Sequence, residues 1–216
     1  MRLRRRGDQG TGVTYKLCSL FLQYPDEELM AAREELAGAA RELARSPGGP
    51  KLASFCEWWC AAEPMALQQL YVDTFDLEKR CGLYMSFVGE GDRRQRGTAL
   101  LRLKRMYRAA GLPLEGSELP DFLPAMLEFA AAAPDGRGEI VLREHRAAIE
   151  LLRQALRERE SPYADVLHAV CLALGEPSAR DRARAVKLAA AGPPTESVGL
   201  EPFAPPEVMP GAEARR

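Results

Sequence analysis

The sequence lacks the patterns that mark β-sheet proteins and membrane-spanning proteins. No segment alternates apolar and polar residues as a half-buried strand does, and no run approaches the ~20 apolar residues that a membrane-spanning helix needs. The N-terminal residues 1–8 are basic but are not followed by the apolar run of a signal peptide. We therefore expect a soluble, cytoplasmic protein without stable membrane insertion.

Cysteine and histidine are also scarce. The five cysteines are scattered, without the spacing of a secreted disulfide framework, which favours reduced thiols. Cys56 and Cys60 could share a soft metal on one helical face, but a closed zinc site needs about four ligands, so core packing is the favoured interpretation. His145 and His168 have no Ser or Cys partner in a nucleophile motif. We expect no metal site, no bound cofactor and no enzymatic activity.

The net charge is nearly balanced, with 30 Lys and Arg against 31 Asp and Glu. The whole molecule is therefore not a nucleic-acid binder by electrostatics. Residues 92–108 nevertheless carry seven basic residues against one acid. An Arg-rich nucleic-acid-binding regulator stays an alternative, and it would associate with steep salt dependence.

Helical periodicity is the main pattern in the sequence. Apolar residues recur at helical spacing, and prolines and glycines separate the segments. The pattern predicts roughly seven or eight helices in an all-α, single-domain bundle. We expect a disordered basic N-terminus over residues 1–12, an all-α domain over 13–175, and a short helix with a Pro-rich disordered tail over 176–216.

Two details of this segmentation are specific. Pro25 is predicted to occupy the first turn of a helix, followed by acidic residues that suit its positive end. One long helix is predicted after the turn at 134–138, with His145, Ile149 and Leu152 on its buried stripe.

Aromatics, arginines, glycines and carboxylates are concentrated in residues 73–129, so a working surface is expected there. Within it, residues 89–97 combine glycines and arginines in a way that would suit a phosphate loop. The Gly-Lys-Ser/Thr ending of a P-loop is missing and no strand precedes the segment. A nucleotide-dependent switch is therefore a second, weaker alternative.

Arg93 and Arg96 extend the apolar face of the next helix at its N-terminal end, where the helix dipole disfavours cations. Either that helix starts later, or carboxylates such as Asp76 or Glu90 hold the two guanidinium groups.

Asp121 lies between two prolines and allows two interpretations. It could cap the helix that contains Met126. Alternatively, Asp121 and Glu128 share one helical face, with Glu118 just upstream, and accept the basic end of a peptide. Both interpretations stay open on the sequence alone.

Several blocks, taken in order, resemble one protein family. They are residues 71–75, Leu83–Tyr84, 91–101 and 118–129. Together they resemble NarJ, the family of assembly chaperones for membrane-bound respiratory nitrate reductase, also called its delta subunit, within the TorD/DmsD group of redox-enzyme maturation chaperones. The likeness covers about residues 13–174.

The resemblance implies a TorD-like helical bundle without enzymatic activity. It implies binding to the N-terminal segment, a remnant of a twin-arginine leader, of the cofactor-free catalytic (alpha) subunit of a nitrate reductase or related molybdoenzyme. That subunit would be held until its molybdenum cofactor and an iron–sulfur cluster are inserted, and would then dock to its membrane partner. The wider group often carries Glu-x-Pro-x-Asp-His, whereas here Asp121 comes one place early and the histidine is missing.

A client helix would lay its apolar face in a groove and match charge at the rim. The predicted peptide-binding residues are aromatic, apolar or acidic side chains of the central stretch: Tyr71, Phe75, Tyr84, Phe87, Asp121, Leu123, Leu127 and Glu128. Asp76, Arg93 and Arg96 are expected as salt-bridge partners or client contacts. For each aromatic ring, core packing is the alternative.

Overall fold

The computed structural model describes residues 6–86, 93–114 and 116–191. Within these ranges the only β-type pairing is one isolated antiparallel bridge, between Tyr84 and Phe122. The same ranges contain eleven α-helices, which confirms the all-α prediction. In chain order they are α1 (Arg6–Phe21), α2 (Glu27–Ala31), α3 (Arg33–Glu42), α4 (Gly49–Ala61), α5 (Pro64–Tyr71), α6 (Arg93–Ala109), α7 (Leu123–Ala132), α8 (Arg137–Glu144), α9 (Arg146–Glu158), α10 (Tyr163–Ala173) and α11 (Ala179–Ala191).

Helix α1 begins inside the segment that the sequence predicts to be disordered. It runs without interruption from Arg6 to Phe21, so the prediction for residues 1–12 is corrected from Arg6 onward. The glycines of this segment have low helix propensity, but packing of α1 along α7 overrides it. At the other end, α11 occupies the segment expected to form a short charged helix, and the predicted tail from residue 192 lies outside the described residues.

Several helix ends follow the local chemistry of the sequence. Asp26 caps α2, because its Oδ1 accepts from the Leu29 N–H at 2.8 Å. Pro25 therefore precedes the cap, and the prediction that it occupies the first turn is wrong. At the end of α10, Gly175 adopts φ 76°, a left-handed conformation that glycine reaches without steric cost. No helix in the described ranges is long and apolar enough to cross a membrane.

The core is centred on α1, which packs against α7 and α10. Ser19 Oγ on α1 donates to the Pro124 carbonyl of α7 at 2.8 Å, which fixes the two helices at that level. A chain of aromatic contacts fills the space between α1, α4, α5 and α10. Its rings, 4.9 to 5.6 Å apart between neighbouring centroids, are Phe21, Phe55, Trp59, Tyr71, Phe75 and Tyr163.

The long helix predicted after residue 138 is broken at His145. That residue leaves helical geometry at φ −100° and ψ 7°, and α8 and α9 form on either side of it. Its Nδ1 lies 2.9 Å from the Val141 carbonyl, one turn back, so the ring contacts the end of α8 itself. Neither glycine nor proline marks this break, which is why the periodicity did not predict it.

Candidate functional site

A short backbone pairing joins residues 83–85 to residues 121–123 within the central stretch 73–129. The Met85 N–H donates to the Asp121 carbonyl at 3.0 Å, and the Leu123 N–H donates to the Leu83 carbonyl at 2.8 Å. Above this pairing, the rings of Tyr84 and Phe122 lie 5.3 Å apart. Main-chain hydrogen bonds therefore join two segments of the central stretch that lie more than thirty residues apart, and no local pattern in the sequence predicts this pairing.

Asp121 is the buried centre of this junction. Its side chain is completely buried, and its Oδ2 accepts from the Ser86 hydroxyl at 2.5 Å and from the Ser86 N–H at 3.2 Å. Helix α7 begins only at Leu123, and its N-cap is Phe122, without a side-chain cap. Both sequence interpretations of Asp121 are thus corrected: it neither caps α7 nor shares a helical face with Glu128.

Four of the predicted groove residues support this region from inside. Leu123 and Leu127 are completely buried, and Tyr71 and Phe75 keep only 6% of their surface exposed. Tyr71 also donates its hydroxyl to the Leu22 carbonyl at 3.1 Å. Core packing, the alternative stated for the aromatic rings, is what the structure shows for Tyr71 and Phe75.

An accessible surface remains above them, and we call it the Tyr84 surface: Tyr84, Phe122, Asp76 and Glu118. Tyr84 and Phe122 are half-buried, while Asp76 and Glu118 are exposed. The Tyr84 hydroxyl donates to Glu118 Oε1 at 3.1 Å. Burial and this hydrogen bond raise the pKa of Tyr84 above its usual value, and the nearby charges of Asp121 and Asp76 act in the same direction. The surface is therefore aromatic and acidic.

Four predicted residues remain, namely Phe87, Arg93, Arg96 and Glu128. Phe87 lies outside the described residues, as does Glu90. Arg93 starts α6, and Arg96 is half-buried in the first turn of that helix. Glu128 is exposed on α7 and forms an ion pair with Lys16 of α1.

A groove that the sequence did not reveal lies between α1 and α2–α3. Its volume is about 470 Å³. The floor is apolar and comes from all three helices: Val13, Leu17, Leu20, Leu29, Ala32, Leu36 and Ala39. Three carboxylates stand at the rim, namely Asp26, Glu28 and Glu35. We call this the α1–α3 groove.

The side chains that line the α1–α3 groove carry a net negative charge. Lys16 is the one basic residue among its lining side chains, and its ammonium group is paired with Glu128. The three rim acids are exposed, and none forms an ion pair with another described residue. The groove has an apolar floor and an acidic rim, which suit the apolar face and the positive charges of a basic helix.

The polar candidates for chemistry are Cys56, which is buried, and Cys60 and His145, which are half-buried. Cys56 and Cys60 place their sulfur atoms 3.7 Å apart, and burial together with the Cys60 thiol raises the pKa of Cys56 to about 12. Among the described residues, no group of three or more His, Cys, Asp and Glu side chains could hold a metal ion. Burial lowers the pKa of His145 below its usual value, and the hydrogen bond to Val141 opposes that shift.

The helical fold has a counterpart among solved structures. The chain is similar to the crystal structure of a proposed redox enzyme maturation protein from Archaeoglobus fulgidus, with a TM-score of 0.53 and 22% sequence identity over 88% of this chain and 97% of that one. At this identity the likeness concerns the fold alone, an all-α bundle. Sequence comparison then gives the family, since the family model described as nitrate reductase delta subunit matches residues 28–169.

Individual relatives agree with that match. The chain is 37% identical over 163 residues to the probable nitrate reductase molybdenum cofactor assembly chaperone NarJ of Bacillus subtilis, covering 75% of this chain and 88% of the relative. It is 32% identical over 153 residues to NarJ of Escherichia coli K12, covering 68% of this chain and 64% of that protein. It also spans 24% of the length of the nitrate reductase-like protein NarX of Mycobacterium tuberculosis, at 35% identity. The chain belongs to the nitrate reductase delta subunit family, in which the two NarJ relatives are named assembly chaperones, and it is a chaperone and not an enzyme.

Proposed function

We propose that this chaperone binds the N-terminal segment of the cofactor-free catalytic subunit of a nitrate reductase, or of a related molybdoenzyme. It holds that subunit in the cytoplasm while the molybdenum cofactor is inserted, and releases it for docking to the membrane partner. The names of the relatives support nitrate reductase as the client and cofactor insertion as the process. The chaperone itself requires no cofactor in this scheme.

The observation that carries the peptide-binding step is the α1–α3 groove. A basic, amphipathic helix of the client would place its apolar face on the floor and its positive charges against Asp26, Glu28 and Glu35. Val13 is 44% exposed at this floor, a surface that burial under a helix would stabilise. Release must follow cofactor insertion, so modest affinity for one short helix suits the task.

The Tyr84 surface is the second docking candidate, because it is the accessible part of the region in which the sequence predicted the site. Its aromatic rings and the carboxylates of Asp76 and Glu118 would recognise a basic segment in a similar way. Variants of the two surfaces, tested with one peptide, separate these alternatives.

Charge reversal at the groove rim is the first test. We expect Glu35→Lys to weaken binding of a synthetic client N-terminal peptide by about fivefold at low salt, because it replaces attraction by repulsion at an exposed rim. The matched control is Glu34→Lys, since both residues are exposed in the first turn of α3 and only Glu35 lines the groove. Calorimetric titration measures both affinities.

Three outcomes of that titration can be distinguished. Equal weakening by both variants would mean long-range charge and not groove contact. Loss of affinity only on Tyr84→Ala with Glu118→Gln would move the docking site to the Tyr84 surface. If the unmodified protein does not bind the peptide even at high concentration, recognition of the N-terminal segment is wrong.

A polar side chain on the groove floor tests the apolar contribution. Val13→Asp is expected to weaken peptide binding by about tenfold, since it places a charge beneath the apolar face of the bound helix. Leu101→Asp on α6 is the control, because Leu101 is 58% exposed and does not line the groove. Thermal unfolding of both variants should match the unmodified protein, and a peptide affinity that Val13→Asp leaves unchanged would exclude the α1–α3 groove.

A further inference from the structure

A second cleft, of about 400 Å³, lies between α6, α8 and α11. Its lining contains more positive than negative side chains. The cations are Arg102, Arg143, Arg180 and Arg184, and the acids are Glu144 and Asp181. Helix α11 supplies two of the four arginines, so its position against the bundle creates the cleft.

Both carboxylates already have partners. Glu144 Oε1 lies 2.5 Å from Arg102 Nη2, on the neighbouring helix. Asp181 Oδ2 accepts from the Ser178 N–H at 2.8 Å and from its hydroxyl at 2.7 Å, at the start of α11. Arg184 Nη1 donates to the Glu144 main-chain carbonyl at 3.0 Å, which directs that guanidinium toward α8.

A buried cation adds to the positive potential near this cleft. Arg146 follows His145 directly, keeps only 2% of its surface exposed, and has no hydrogen-bond partner for Nε and Nη1 among the described residues. Its nearest carboxylate contact, Glu150, is 3.5 Å away. The hydrogen bonds from Ser178 lower the pKa of Asp181, and the charge of Arg146 acts on that carboxyl in the same direction. A buried charge with so little compensation favours an anion nearby.

We propose that this cleft binds a small dianionic ligand of the phosphate class. Guanidinium groups bind phosphate oxygens through paired, charge-assisted hydrogen bonds, and Arg180 and Arg184 line the cleft from α11, opposite the lining residues of α6 and α8. Arg102 is paired with Glu144 and Arg143 with Glu139, so Arg180 and Arg184 are the two lining arginines without an ion pair among the described residues, and a dianion would match their charge. The site is separate from the α1–α3 groove and does not depend on client binding.

His145 provides a direct reporter, because it lines the cleft and the chain has only two histidines. Proton NMR of the full chain would follow the imidazole resonances against pH, with and without inorganic pyrophosphate, at ionic strength matched with sodium chloride. We expect saturable binding and a raised pKa of His145, because a bound anion stabilises the imidazolium form. The His168 resonance should not respond, since this residue does not line the cleft.

Matched variants make the assignment specific. Arg180→Gln combined with Arg184→Gln is expected to weaken pyrophosphate binding by at least about tenfold. Arg182→Gln should leave it unchanged, because Arg182 is exposed on the same helix and does not line the cleft. If orthophosphate binds with the same affinity as pyrophosphate, the cleft recognises a single phosphate group. Equal weakening by both variants, no saturation, or a constant pKa of His145 would overturn the proposal.

Discussion

Replacing Asp121 with alanine is expected to lower the free energy of unfolding by about 3 kcal/mol. The substitution removes the acceptor of two hydrogen bonds and leaves the Ser86 hydroxyl and N–H without it in a buried position. Leaving a buried donor without an acceptor costs more free energy than the average hydrogen bond contributes, because the donor cannot bond to water instead. Urea denaturation followed by circular dichroism measures the difference.

The controls separate a structural carboxylate from a client contact. Asp121→Asn keeps the shape and one acceptor oxygen, so we expect about half of the loss. Glu128→Ala should change stability by less than about 0.5 kcal/mol, because its ion pair with Lys16 is exposed. An Asp121→Ala protein that is as stable as the original but no longer binds the client peptide would show instead that this carboxylate serves recognition.

Asp121 also shows where sequence reasoning ends. A carboxylate between two prolines, just before an apolar helical run, has the local signature of a cap or of an acidic face. Its actual partner, Ser86, is 35 residues earlier in the chain. Nothing in the local pattern could distinguish a surface role from a buried bond to a distant segment.

The helices themselves could be predicted, because their apolar periodicity and their stop signals are local. The side of each helix that remains accessible could not be predicted, and Tyr71 and Phe75 illustrate this. Both rings have neighbours at helical spacing, and both pack against Tyr163 of α10, about ninety residues later. An aromatic stripe has the same sequence pattern whether it packs into the protein's own core or contacts a partner.

The α1–α3 groove was missed for a related reason. Leu17 and Leu36 belong to the apolar stripes of two helices and are buried, as the periodicity indicates. The groove lies between α1 and α3, which the short helix α2 connects, and the separation of the two helices leaves a space of about 470 Å³. That separation depends on tertiary packing, which single-sequence patterns do not encode.

The close approach of α7 and α8 should make Gly138→Ala strongly destabilising. A Cβ at this position would lie 2.2 Å from Ala130 Cα and 2.7 Å from the Phe129 carbonyl oxygen. Both atoms belong to the backbone of α7, so no rotamer change relieves the overlap and the helices must separate. We expect a loss of about 3 kcal/mol in the free energy of unfolding, at the upper end of what overpacking costs.

Gly38→Ala is the matched control, and it should shift stability in the opposite direction. Gly38 lies in the middle of α3, and an added Cβ would meet nothing within 4 Å. Alanine in an exposed helix interior is favoured over glycine by about 1 kcal/mol. Thermal unfolding should therefore lower the Tm of Gly138→Ala and raise that of Gly38→Ala. If both variants gain stability, α7 and α8 are not in close contact at Gly138.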